Sequence, residues 1–236
     1  VDNKKQEWQN SYENGENHVF FPHEEVVRFF AKYITKRVGL QDYKTIHTHQ
    51  AQPRFLDVGC GIGRHIIFSK QMGLDSYGID LSDEAITKAR EWASSAGIDH
   101  IESKIVAGSI TKMPWNDGFF QFAGSNGVFD SMNFEIAKEG IRETARVLEK
   151  EGLFYCDLIS GDDSNHSREF TGEEISGTGH EQGTVQMYYN YSKILDLIGS
   201  NFAIEEITMI RNENILTGFF HSRYHLILRK RMNSGG

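Results

Sequence analysis

Beyond residue 53 the chain alternates between short apolar runs and stretches in which apolar positions recur every three or four residues. Residues 55–58 predict a first strand and 64–72 a helix. A second strand follows at 76–79, and Ser82 is placed to cap a helix running to about Ser95, with Asp83 and Glu84 favourable in its first turn. Residues 104–106 and 119–125 predict the third and fourth strands. Residues 134–149 predict a helix with Ile141, Ala145 and Leu148 on one face, and 153–159 a fifth strand. Strands separated by helices of this length need crossover connections, hence a mainly parallel sheet with helices on both faces. Right-handed crossovers leave few topologies.

The pattern breaks after residue 160. Residues 161–183 are polar, carry five glycines and show no periodicity, which in a compact domain marks a lid or binding loop; the substrate loop is set at about 160–190. An extra strand at 184–191, a short helix at 192–198 and two closing strands at 203–210 and 219–229 form an antiparallel ending. Toward the N-terminus, Val26, Phe30, Tyr33 and Arg37 fall near one helical face, flanked by Val27 and Ile34. Pro22 suits the first turn of that helix and Gly39 its stop. The polar, His-rich residues 40–52 read as a linker. Two parts result: an N-terminal helical segment and linker at 1–52, covering the site, and a domain at 53–236.

Composition narrows the function. Asp and Glu number 33 against 25 Lys and Arg, a net charge of -8, so no global phosphate-binding face is expected and nucleic acid is not an expected partner. No run of about 18 apolar residues is present, so no membrane span is expected. The polar N-terminus lacks a signal-peptide core. Cys60 and Cys156 are far apart with no C-x-x-C, which argues against a disulfide scaffold or structural zinc and points to a reducing, cytoplasmic setting. His47 and His49 lack a carboxylate cluster, so no metal is assigned. The sequence sets no oligomeric state.

The sharpest chemical signal lies at residues 55–65, FLDVGCGIGRH. Three glycines where a strand passes into a helix make either a plain tight turn or a loop on which a ligand lies against bare backbone. The spacing is G-x-G-x-G and departs from the dinucleotide pattern G-x-G-x-x-G. Asp57, two residues ahead of the loop, would repel a diphosphate and favour a cation. Asp80 ends the next strand, 19 residues beyond Gly61, where an acid can accept both hydroxyls of a ribose. The implied ligand has a ribose, a positive group and little negative charge.

Together, LDVGCGIGR, YGIDLS and the helix-turn-strand RVLEKEGLFYCDLI resemble the class I S-adenosylmethionine-dependent methyltransferases, over most of the chain from Phe55 to Arg229. The resemblance implies a Rossmann-like, doubly wound, seven-stranded sheet whose last strand runs antiparallel between the fifth and sixth. It implies S-adenosylmethionine as cofactor and S-adenosylhomocysteine as product. Carried over by position, Gly59, Cys60, Gly61 and Gly63 would line the methionine portion, with Asp57 supporting the turn. Asp80 and its neighbour Leu81 would hold the ribose side. Ser109 and Ile110 would flank the adenine, although many relatives have an acid where Ser109 sits. Asn126 would close over the cofactor, Arg64 would salt-bridge an acid or touch the cofactor carboxylate, and Trp8 and Tyr12 would fold over the site or pack as an i, i+4 pair. Phe219 and His221 would come near substrate, with Ile227 and Leu228 in the core.

Methyl transfer needs a base only if the acceptor must lose a proton. Asp130, His166 and His221 are the candidate catalytic residues, with His180 a further histidine in the glycine-rich stretch. Acidity and the lid point to a small-molecule acceptor methylated on oxygen or nitrogen. The competing expectations are a catalytically silent cofactor-binding partner subunit, a protein or RNA methyltransferase, and an NAD-dependent oxidoreductase.

Overall fold

A computed structural model describes residues 2–15, 17–166, 172–175 and 185–232. In chain order the elements are α1 (Asp2–Glu13), α2 (Glu24–Tyr33), β1 (Thr35–Arg37), β2 (Tyr43–Thr45), β3 (Arg54–Val58), α3 (Arg64–Gln71), β4 (Asp75–Asp80), α4 (Asp83–Ser95), α5 (Ile101–Lys104) and β5 (Ile105–Ala107). They continue with β6 (Phe120–Ser125), α6 (Phe134–Val147), β7 (Leu148–Ile159), β8 (Gly172–Ile175), β9 (Val185–Tyr188), α7 (Tyr191–Ile198), β10 (Phe202–Glu213) and β11 (Phe220–Lys230).

Seven strands form one sheet in the order β10-β11-β7-β6-β3-β4-β5. The strands from β7 to β5 run parallel, and β11 lies antiparallel between β7 and β10. This is the doubly wound topology expected from the alternation of runs. Its inner strands read as continuous apolar stretches because both faces are covered: β6 is buried at all six positions and β3 at four of five. On one face α6 and α7 pack over Leu56, Val58, Ala123 and Phe154. On the other, Val26, Phe29, Phe30 and Ile34 pack over Phe55, Phe122 and Tyr155. Ser82 caps α4, its hydroxyl accepting the Ala85 N–H at 3.2 Å.

Several local expectations are corrected. His23, not Pro22, caps α2, its Nδ1 accepting the Glu25 N–H, so the proline lies outside the helix. That helix ends at Tyr33, well before Gly39, and its buried stripe includes Phe29 while Arg37 is exposed. The supposed linker holds a strand: β1 and β2 pair as a short antiparallel hairpin, with Gly39 in its turn. Lys104 closes the short helix α5 instead of opening a strand, α6 stops at Val147, and Leu148 already belongs to β7. Within the loop set at 160–190, β8 and β9 pair antiparallel; residues 167–171 and 176–184, including His180, lie outside the described residues. Tyr191 opens α7 instead of closing a strand.

Candidate functional site

The carboxyl ends of β3, β4, β5 and β6 open onto a cavity of about 380 Å³. Residues 59–63 cross its floor. Gly59 and Gly61 have φ of +74° and +51°, a region in which a side chain is strained. Space is equally restrictive. A Cβ on Gly59 would lie 2.4 Å from a Val128 methyl, and one on Gly61 would lie 2.6 Å from the Tyr12 hydroxyl. The loop is bare because the opposing side chains leave no room for substituents.

Two aspartates bracket this loop. The Asp80 carboxylate accepts the Gly61 N–H at 2.8 Å and the Ser82 N–H at 2.9 Å, so it ties the loop to the start of α4 while bordering the cavity. Burial raises its carboxyl above the ordinary range, opposed by those N–H groups. Each carboxylate oxygen has a second lone pair, which leaves Asp80 able to accept hydroxyls from a ligand. Asp57 lies beneath the loop, 1% exposed; its Oδ1 faces His65 Nδ1 at 3.4 Å, and its buried Oδ2 has no hydrogen-bond partner. The His23 N–H donates to His65 Nε2 at 3.2 Å. With Nε2 accepting, the ring proton sits on Nδ1 and points at Asp57.

Of the residues singled out from sequence, Gly59, Cys60, Gly61, Arg64, Asp80, Leu81, Ser109, Ile110, Asn126, Trp8 and Tyr12 all border this cavity. Asp57 and Gly63 stand behind it. Burial pushes the Cys60 thiol well up, so it is not a thiolate. Trp8 and Tyr12 arrive on α1, which crosses the start of α4: Gln9 Oε1 accepts from the Ser82 hydroxyl at 3.0 Å and the Glu84 N–H at 3.2 Å. Arg64 donates to Asn126 Oδ1 at 2.5 Å.

The three catalytic candidates sit elsewhere. Asp130 is buried behind the cavity wall, where its Oδ2 accepts from Arg223 at 2.5 Å and from the Ile159 N–H at 2.9 Å. Its surroundings are those of a structural ion pair. His166 pairs with Glu174 at 2.7 Å and stacks on Tyr188 with ring centroids 4.0 Å apart. His221 is exposed, 3.4 Å from Asp163 and edge-on to Phe219. None of these three, nor Phe219, borders the cavity.

The structure adds residues that sequence reasoning missed. Asp157, at the end of β7, accepts from Asn126 Nδ2 and the Gly127 N–H, both at 2.8 Å, and from Arg223 Nε at 2.8 Å. Burial alone would raise the Asp157 carboxyl; Arg223 and the Gly127 N–H hold it below its ordinary value. Arg223 thus bridges two buried aspartates and fixes the turn after β6. The Asp130 carbonyl accepts the Met187 N–H at 2.7 Å and Gln186 Nε2 at 2.8 Å, which ties β9 to the same turn. Val128, Met132, Ile136 and Val185 form the apolar wall opposite the loop. No grouping of His, Cys, Asp and Glu fit to hold a metal occurs among the described residues. No described helix is long and apolar enough to cross a membrane.

A glycine-floored cavity at the carboxyl edge of a sheet ordered in this way, with its last strand reversed between two others, defines the class I methyltransferase fold. Residues 56–156 match the family model described as a methyltransferase domain, and the chain shares its fold with solved S-adenosylmethionine-dependent methyltransferases. The chain is 25% identical over 105 residues to the uncharacterized methyltransferase YcgJ of Bacillus subtilis, a match covering 44% of this chain and 40% of that protein. It is 30% identical over 108 residues to 24-methylenesterol C-methyltransferase 2 of Oryza sativa subsp. japonica, covering 44% and 29%. The chain therefore spans less than half the length of these curated relatives. Among solved structures, a SAM-dependent methyltransferase from Methanosarcina mazei superposes with a TM-score of 0.62 at 21% identity, covering 78% of this chain and 95% of that one. The 1,6-didemethyltoxoflavin-N1-methyltransferase of Burkholderia thailandensis, solved with its substrate and S-adenosylhomocysteine, gives 0.60 at 16%, covering 77% and 72%.

Proposed function

We propose that the chain transfers the methyl group of S-adenosylmethionine to an oxygen or nitrogen of a small molecule and releases S-adenosylhomocysteine. The observation that carries this is the spare, buried Asp57 oxygen under a loop whose Gly59 and Gly61 admit no side chain, with Asp80 facing the same cavity. Negative potential beneath a bare floor suits a cationic nucleoside and disfavours a diphosphate. Asp80 and Leu81 would take the ribose side; Ser109 and Ile110 the adenine; residues 59–63, Arg64 and Asn126 the methionine portion; and Trp8 and Tyr12 would cover it. On this reading 1–52 is the cover, 53–236 the transferase domain with its substrate loop at about 160–190, and two buried free cysteines fit a cytoplasmic setting.

The bound cofactor supplies an electrophilic methyl carbon. The protein's share is to align the acceptor lone pair with it and to exclude water. His65, the histidine bordering the cavity, has both ring nitrogens engaged. With burial foremost and Asp80 next, the Tyr12 phenol is pushed up and stays protonated. Neither serves as a ready base, so the acceptor attacks with a lone pair it already presents, and any proton it sheds passes to solvent. The small-molecule toxoflavin precursor named for the Burkholderia structure supports the acceptor size.

Calorimetry with S-adenosylmethionine, S-adenosylhomocysteine and NAD tests the reading, followed by mass-shift profiling of small acceptors. One-site binding of the first two without NAD, and a methylated product, are expected. NAD binding in their place, or an empty cavity at saturating S-adenosylhomocysteine, overturns it.

A further inference from the structure

We propose that the acceptor is an uncharged molecule whose apolar body lies against Val128, Met132, Ile136 and Val185; the inference rests on the methyl-transfer reading. The argument is a charge inventory of the cavity among the described residues. Only Arg64 and Asp80 of its described lining carry a full charge, and both lie on the side that the methyl-transfer reading gives to the cofactor. Asp80 accepts two backbone N–H groups on the floor, and Arg64 donates to Asn126 Oδ1 and, at 3.5 Å, to the Phe21 carbonyl.

Behind the apolar wall the same holds. Asp130 and Asp157 share the single Arg223 guanidinium, so the cluster keeps a net negative charge, but its carboxylates are engaged by that guanidinium and by backbone N–H groups and none lines the cavity. From the hairpin side, Glu173 is held by Asn133 Nδ2 at 2.9 Å and the Phe134 N–H at 2.7 Å. An acceptor carrying a carboxylate, phosphate or ammonium would give up its hydration there and meet no described side chain of opposite charge in contact, which is costly, and the net negative cluster behind the wall adds repulsion for the anions. A neutral, apolar body instead gains by leaving water. Half-buried Met132, in the bend ahead of α6, and Ile136, in the first turn of α6, present this surface. A neutral nitrogen nucleophile attacks with the lone pair it already carries and needs no base for that step, in keeping with the engaged nitrogens of His65.

The test uses the whole chain loaded with S-adenosylhomocysteine and three fluorescent probes of equal shape: 2-naphthol, 2-naphthoate and 2-naphthylmethylammonium, titrated at pH 7. Binding of the naphthol at least tenfold tighter than of either ion is expected. Equal or tighter binding of an ion, or no binding of any probe, overturns the proposal. Met132→Lys is expected to strengthen naphthoate binding at least tenfold while S-adenosylhomocysteine affinity stays within twofold; unchanged naphthoate binding in the loaded variant also overturns it. The S-adenosylhomocysteine titration done first separates the two claims. Its failure removes the transferase reading, whereas a loaded protein that prefers an ion removes only the acceptor class.

Discussion

The two walls of the cavity are built by opposite means. The floor, proposed to hold the cofactor, is local: five residues of loop, one aspartate just before it and one at the end of the adjacent strand, with a parallel register that sets Asp57 beside Gly78. The opposite wall, proposed to meet the acceptor, is assembled from afar. Residues 127–136 are held by Asp157 on β7 and Arg223 on β11, and Val185 is brought in by β9. A wall made by a turn keeps its shape through backbone geometry; a wall made by a buried charge cluster keeps it only while every charge stays paired. The first should fail by losing ligand, the second by losing fold.

Arg223 offers the largest break. Arg223→Ala leaves Asp130 and Asp157 buried without their counter-charge and should cost about 3–5 kcal/mol, read by denaturant unfolding. Because Arg223 holds the Asp157 carboxyl low, the wild-type stabilisation is present above the ordinary value of 3.8 and is lost as pH falls below it; the variant should lack that acid limb. Gly59→Ala comes next. It forces a side chain to φ +74° and into Val128, a strain of about 1–3 kcal/mol, and should weaken S-adenosylmethionine binding more than tenfold, with the unfolding transition still cooperative.

A smaller effect sharpens the comparison through pH. Burial lowers His225 from 6.5 to about 4, with its Nδ1 accepting from the Tyr155 hydroxyl at 2.9 Å. A histidine kept neutral in the fold takes up protons on unfolding between those values. Stability should therefore drop as pH falls from about 6.5 toward 4, and His225→Gln should flatten that slope in a series of thermal melts. Least of all, Lys5→Ala removes an exposed ion pair to Asp83 on the cover and should change the melting free energy by less than about 1 kcal/mol.

The same contrast explains what could be read in advance. The parallel strands and the glycine floor follow from local pattern, because a buried parallel strand and a strand-to-helix turn each leave a mark within ten residues, whereas the place of the reversed last strand follows from the family resemblance. Ser82 and its cap were legible for the same reason. The β1–β2 hairpin was not: its strands are three residues each, and β2 is exposed throughout, so it carries no alternation. Asp130 looked catalytic because an acid after the fourth strand sits near chemistry in principle. Its partner Arg223 lies 93 residues away and declares itself only when β11 inserts beside β7. Met132 and Ile136 have the spacing of ordinary helix packing, so nothing local separates a cavity wall from core. His65 accepts from the His23 backbone across 42 residues, a partner that no local pattern marks.

The measurement closest to the central claim is the difference in affinity between S-adenosylmethionine and S-adenosylhomocysteine, which lacks the sulfonium charge, taken in the wild type and in Asp57→Asn. If the lone buried oxygen under the loop selects for a cation, the near-isosteric amide should weaken the sulfonium ligand several-fold more than the thioether. Equal losses for both ligands, or no loss for either, would contradict the account.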